Sequence, residues 1–272
     1  MNQAGENQAG SPRGSDTTKL FAEERRQSIV EYVQKNRKAT VTDLSKFFSV
    51  SAATIRIDLR ELERSNLLVR THGGAIPPSR TGKEDSIDAR AVENVEAKRR
   101  IANLAVAEVN NGDTLILDTG TTCLELAKIL SRFDKLTVVT NDLRIAMVVE
   151  PFHGIETVFV GGVVRKGFHC AVGSLGLPML RTITVDKAFM AANGFSIERG
   201  ATTPNVEQGV TKREMMAVAV KNYLLVDSSK FGSNSFSQFA ELDDLDVIIT
   251  DSASPTTITA LESHGIEVLI AK

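Results

Sequence analysis

The chain has 272 residues, 42% of them hydrophobic and 24% charged, with a formal net charge of −2. That length holds one large domain or two ordinary ones, and the composition excludes an intrinsically disordered chain. No run of about 18 apolar residues occurs, which excludes a transmembrane helix, and two cysteines, Cys123 and Cys170, are too few for a disulfide framework.

The first 18 residues are rich in Gly, Ser, Gln and Asn and lack a basic start followed by an apolar core, so 1–18 reads as a disordered leader and not a secretory signal. A reducing cytoplasm is the expected compartment. Residues 19–76 carry 11 Lys and Arg against 7 Asp and Glu, a balance of +4, whereas 77–272 carry 20 against 25, a balance of −5. A basic head on an acidic body suits a protein that touches nucleic acid with the head only.

Three helices are expected in the head. The first, about 20–36, sets Ile29 and Val33 one turn apart, with Phe21, Val30 and Tyr32 beside that stripe. The second, about 41–48, opens at Thr40, which has capping-box spacing to Asp43, and carries Leu44, Phe47 and Phe48 on one face. After a four-residue connection Ser51 caps the third, reaching about 65, with Ile55, Leu59 and Leu62 on one face. Three short helices with a tight turn between the last two describe a helix-turn-helix. The run Leu67-Leu-Val-Arg-Thr-His-Gly-Gly-Ala-Ile76 then reads as a hairpin turning at Gly73-Gly74, the wing beside a recognition helix. The head is thus a winged helix-turn-helix domain over 19–76. Residues 77–92, rich in Pro, Ser, Gly and charge, are the expected linker.

With Ile55, Leu59 and Leu62 buried, Ala53, Ile57, Arg60 and Arg64 point the opposite way, and Thr54 and Arg56 lie on the flanks. A helix in the major groove reads bases with its first turns and grips phosphates at its edges. The candidate DNA contacts are Ser51, Thr54, Arg56, Ile57 and Arg60, with Arg70 and His72 on the wing. The alternative is a solvated face in which Asp58, Glu61 and Glu63 pair with these arginines.

The body, 93–272, alternates helices (about 94–110, 122–130, 142–149, 207–220 and 256–263) with short β-branched runs (114–118, 136–140, 155–160, 223–227, 245–250 and 266–270). This is the pattern of an α/β domain whose mostly parallel sheet is covered on both faces. Asp118-Thr119-Gly120-Thr121-Thr122 joins a strand to a helix. Gly120 lets an anion approach the backbone, and the helix start adds free N–H groups and a positive dipole end. Thr140-Asn141, Gly161-Gly162, Ala191-Ala-Asn-Gly194 and Asp227-Ser-Ser-Lys230 also follow expected strands, and in a parallel sheet these ends lie along the ligand-binding edge. Lys230 supplies counter-charge, with Lys212 or Arg213 nearby in the chain. Cys123 and Cys170 read as buried small residues, and no metal-ligand spacing or cofactor motif is present.

The stretch from Arg25-Arg26 through Val50-Ser51-Ala-Ala-Thr-Ile-Arg-Ile-Asp-Leu59 to Arg70-Thr-His-Gly-Gly-Ala75 resembles the DNA-binding head of the DeoR family of bacterial transcriptional regulators, and the likeness runs on to about Asp251. The resemblance implies a regulator of carbohydrate genes, most often a repressor, that binds double-stranded operator DNA as a dimer or tetramer. It also implies a body like ribose phosphate isomerase that senses a phosphorylated sugar. Where the family carries Arg-Arg-Asp-Leu, this chain has Arg56-Ile57-Asp58-Leu59. Where the isomerase carries Asp-Gly-Ala-Asp and then Lys-Gly-Gly-Gly, it has Ala191-Ala-Asn-Gly194 and Pro204-Asn205, with Glu214 as the surviving carboxylate. That implies binding without turnover and no catalytic residues. An active sugar-phosphate isomerase and a protein-interaction module are the competing readings.

Overall fold

Helix formation in the head follows the caps and apolar phase of the sequence. In the computed structural model, which describes residues 22–36, 39–65, 67–71, 73–76, 84 and 86–272, the chain divides into two units, Met1–Ser79 and Arg80–Lys272. The expected leader, His72, and 77–83 and 85 of the expected linker lie outside the described residues.

The first unit runs α1 (Ala22–Asn36), β1 (Ala39–Thr40), α2 (Val41–Phe47), α3 (Ala52–Arg64), β2 (Val69–Thr71) and β3 (Gly74–Ile76). Thr40 and Asp43 close the capping box in both directions, and Ser51 accepts a bond from the Thr54 N–H at 3.1 Å. Ile29, Val33, Leu44, Ile55, Leu59 and Leu62 make the core. The hairpin β2–β3 pairs onward with β1, giving three antiparallel strands. Gly73 turns with φ +98°, and Gly74 is needed for closeness: a Cβ there would lie 2.1 Å from the Ala39 carbonyl oxygen.

The second unit opens with α4 (Ile87–Val92) and α5 (Val95–Ala105). The expected linker, 77–92, is therefore not connecting chain throughout. Ser86 caps α4 by accepting from the Ala89 N–H, and Ile87 is buried, so this end of the stretch folds with the body. There follow β4 (Thr114–Leu117), α6 (Thr121–Lys128), β5 (Leu136–Thr140), α7 (Leu143–Val149), β6 (Ile155–Phe159), the hairpin β7 (Val163–Arg165) and β8 (Cys170–Val172), and α8 (Leu177–Leu180). The chain continues through β9 (Val185–Ala191), β10 (Gly194–Ser196), β11 (Gly200–Thr203), α9 (Val206–Ala217), β12 (Ala219–Leu225), β13 (Ser237–Ala240), β14 (Val247–Thr250), α10 (Pro255–Ser263) and β15 (Glu267–Ile270).

Seven strands form one parallel sheet in the order β15-β14-β12-β9-β4-β5-β6. Successive side chains alternate between two cores: Leu115 and Leu117 pack on one face with α5, α6 and α7, and Ile116 packs on the other with Met215 of α9 and Leu261 of α10. From β4 the chain builds outward through β5 and β6, then returns to β9 on the other side of β4. That reversal is a topological switch point, where the carboxyl ends of the strands open a crevice. Among the described residues no helix is long and apolar enough to cross a membrane.

Candidate functional site

Among the described residues none of the three α3 carboxylates pairs with Arg56 or Arg60, although Glu61 and Glu63 pair with Arg64 and Arg70. Asp58, 1% exposed, accepts from Arg25 Nε at 2.7 Å and from Arg26 Nε at 3.2 Å, both on α1. Glu61 pairs with Arg64 at 2.9 Å, and Glu63 accepts from the Arg70 N–H at 3.1 Å with its side chain 3.5 Å from the Arg70 guanidinium. Arg56 and Arg60 are exposed and, among the described residues, form no ion pair; Arg60 Nε reaches only the Arg56 carbonyl at 3.3 Å. Ile57 lies between them at 50% exposure. Ser51 and Thr54 share a hydroxyl contact of 2.9 Å at the N-terminus of the same helix.

In the second unit a cleft open to solvent sits at the switch point between β4 and β9. Its floor begins with Gly120, whose φ of +149° suits glycine and whose added Cβ would approach Ala191 Cβ to 3.1 Å. No side chain caps α6, so the N–H groups of its first turn remain available at the cleft. Thr119, Thr121 and Thr122 line it, although the Thr119 hydroxyl already donates to Asp142 at 2.8 Å. Lys212 and Lys230 line it too.

Asp118 lies beneath this loop and is fully buried. It accepts from Lys212 Nζ and, at 2.9 Å, from the Ala191 N–H, tying β4, α9 and β9 together. Burial pushes the Asp118 carboxyl up, while Lys212 pulls it back. Its second oxygen has no hydrogen-bond partner among the described residues.

Of the other expected ligand residues, Thr140 donates to the Leu117 carbonyl at 2.7 Å and Asn141 to that of Ala171 at 2.7 Å. Both are structural links below the edge and do not line the cleft. Gly161 and Gly162 also lie off it: a Cβ on Gly162 would sit 2.6 Å from the Val172 carbonyl, so glycine is required at 162 where the chain passes β8, whereas a Cβ on Gly161 would meet nothing within 4 Å. Arg213 points away to the Gln238 carbonyl at 2.8 Å, its neighbour Lys212 facing inward. Glu214, matched to an isomerase carboxylate in the sequence, is a surface partner of Arg181 at 2.7 Å, and that hydrogen bond holds its pKa down.

Sequence reasoning missed Arg90, Lys98, Phe168 and Gln208, all of which line the cleft. Lys98 is 5% exposed and donates to the Arg90 and Glu93 carbonyls at 2.5 Å. Burial draws its pKa below the usual value, against the opposing pull of Asp227. The signal was present: Lys98 falls in phase with Ile101, Ala102 and Ala105, a charge on an apolar stripe. Arg90 is likewise drawn down by burial. Of the lining cations, Lys212 is paired with Asp118 and Arg90 with Glu84, so among the described residues Lys98 and Lys230 stand against one lining acid, Asp227, which is itself held by Asn94 at 3.0 Å and by Ser229. Such a cleft favours an anion. Among the described residues it offers no pair of free carboxylates for proton transfer, since Asp118 is paired and Asp227 is bonded. Both thiols are buried, and burial pushes that of Cys123 well up.

The family descriptions "DeoR-like helix-turn-helix domain" and "DeoR C terminal sensor domain" match residues 25–81 and 93–252. The HTH-type transcriptional regulator GlpR of Haloferax volcanii is 36% identical over 251 residues, covering 92% of this chain and 98% of that protein. The HTH-type transcriptional repressor GlcR of Bacillus subtilis is 35% identical over 254 residues, covering 93% and 98%. A ribose 5-phosphate isomerase of Methanocaldococcus jannaschii aligns at 18% identity and a TM-score of 0.39 over 51% of this chain and 55% of that one, too slight a likeness to argue from.

Proposed function

Because the chain belongs to the DeoR family of transcriptional regulators, we propose that it represses carbohydrate-metabolism genes and that a phosphorylated sugar in the cleft sets its affinity for operator DNA. Two exposed arginines on α3, left without acid partners by the pairing of Asp58, Glu61 and Glu63, support base and phosphate contact by Arg56 and Arg60. Paired half-sites call for a dimer or tetramer on the DNA.

The observation that carries the ligand reading is the excess of cations around a glycine loop at a helix start. A phosphate monoester there meets backbone N–H groups, the positive end of α6 and the Lys98 and Lys230 ammonium groups together. Its sugar hydroxyls face Asn193 and Gln208. The family's regulatory role and the lack of free carboxylates both favour sensing over isomerisation. Thermal-shift screening of sugar phosphates and their unphosphorylated parents tests this, because a ligand that binds only the folded state must raise the Tm. Operator binding is then titrated with each hit, and product is assayed in parallel. Equal effects of phosphorylated and unphosphorylated sugars, or measurable turnover, would refute the proposal.

A further inference from the structure

We propose that Glu84 is an internal counter-anion of the cleft, which competes with the bound ligand for Arg90. The inference rests on the cleft being an anion site. Glu84 is a carboxylate with a side chain only 5% exposed, contributed by the chain just before α4. It accepts from Arg165 at 2.8 Å and from Asn193 at 3.4 Å, and it forms an ion pair with the Arg90 guanidinium at 3.2 Å. Arg90 and Asn193 line the cleft; Arg165 does not.

The two guanidinium groups are not equally committed. Arg165 also donates to Gln208 at 2.5 Å and lies 4.1 Å from the Phe168 ring centroid, so it is fixed on three sides. Arg90 stands 5.7 Å from that ring, and its Nε is buried with no hydrogen-bond partner among the described residues. Glu84 therefore neutralises Arg90 as an ion pair and, among the described residues, leaves its Nε donor unmet. A phosphate monoester carries up to two charges and three acceptor oxygens, and can take both donors of a guanidinium edge. Placed against the Gly120 loop, it would draw Arg90 from Glu84 while Arg165 retains the carboxylate. Glu84 lies eight residues after Ile76 in the chain.

Calorimetric titration of the full chain with inorganic phosphate at constant ionic strength tests the competition. Four proteins are compared: wild type, Glu84→Gln, Arg165→Gln and the double variant. Removing the competitor in Glu84→Gln should tighten phosphate binding at least about fivefold, the lower end of coupling between linked sites. Arg165→Gln should weaken it, because Glu84 then leans on Arg90 alone. The double variant should bind at least as tightly as wild type. If Glu84 instead holds Arg90 in place for the ligand, Glu84→Gln binds more weakly and the double is no tighter than Arg165→Gln. That result, or unchanged affinity in Glu84→Gln, overturns the proposal. A Gly120→Ala control separates the two levels. If phosphate binds it as well as it binds wild type, the cleft reading itself fails, and the role of Glu84 with it.

Discussion

Replacing Asp58 with alanine separates holding the head together from touching DNA. Asp58 is 1% exposed and accepts from Arg25 at 2.7 and 3.3 Å and from Arg26 at 3.2 Å, fastening α3 to α1. Removing one partner of a buried pair costs about 3–5 kcal/mol. Arg25 and Arg26 have side chains 13% and 35% exposed and recover part of their hydration, which lowers the cost to about 2–3 kcal/mol. A head of about 60 residues has about 3–9 kcal/mol in total at typical stability per residue. A head near the middle of that range keeps about 3–4 kcal/mol after the substitution and stays mostly folded at 25 °C. Asp58→Ala should therefore bind a selected operator nearly as well as wild type when cold and lose it on warming. Amide protection of α1 and α3 by hydrogen exchange should fall about 30- to 150-fold, tracking the lost free energy. If operator affinity collapses at 25 °C while that protection is unchanged, Asp58 and its arginines act at the DNA, and the structural assignment is wrong.

Four further outcomes are expected. Arg56→Ala should cost about 1–3 kcal/mol at the cognate operator with no change in Tm, and an equal loss on random DNA would reduce its role to a phosphate contact. Ile57→Arg should steepen the salt dependence of binding by about one charge and shift the preferred sequence; identical selected sites would show that Ile57 does not face DNA. Gly120→Ala forces a side chain into φ +149° and against Ala191. It should abolish the Tm rise given by a cleft ligand yet preserve ligand-free operator affinity, so a retained Tm rise contradicts the site. Lys212→Met leaves Asp118 buried without its cation and should lower stability by about 3–5 kcal/mol. Adding Asp118→Leu should restore most of it, as measured by urea unfolding, and no restoration would mean the pair is not the relevant interaction.

Local chemistry made much of this molecule legible in advance. The Thr40–Asp43 box, the Ser51 cap and the Ile55, Leu59, Leu62 face all lie within a few residues of one another, where periodicity and capping rules apply. Asp58 was harder, because its partners stand 32 and 33 residues away and a helical wheel compares only near neighbours. The strand-end rule brought Gly120, Thr121 and Lys230 to the cleft, but it passed over Arg90 and Lys98, which reach it from helices that precede the first strand of the sheet. It also took in Thr140 and Asn141, whose polar groups are spent on neighbouring carbonyls. Adjacent Lys212 and Arg213 face opposite ways on α9, a choice that only packing against Phe239 and β9 decides. The hairpin β7–β8 and the strands β10, β11 and β13 span three or four residues each, too short for a period to show.

The position of β9 in the sheet has a consequence for biosynthesis. Leu115 of β4 pairs with Lys187 of β9, 72 residues later, so β4 has an open edge until β9 has been made. At about 5–20 residues per second that wait lasts about 4–14 s. The winged head, whose core closes within residues 22–76, has no such delay. A ribosome-bound chain halted before Val185 should present a protease-resistant head and a cleavable body, so the half that holds DNA matures before the half that responds to a metabolite.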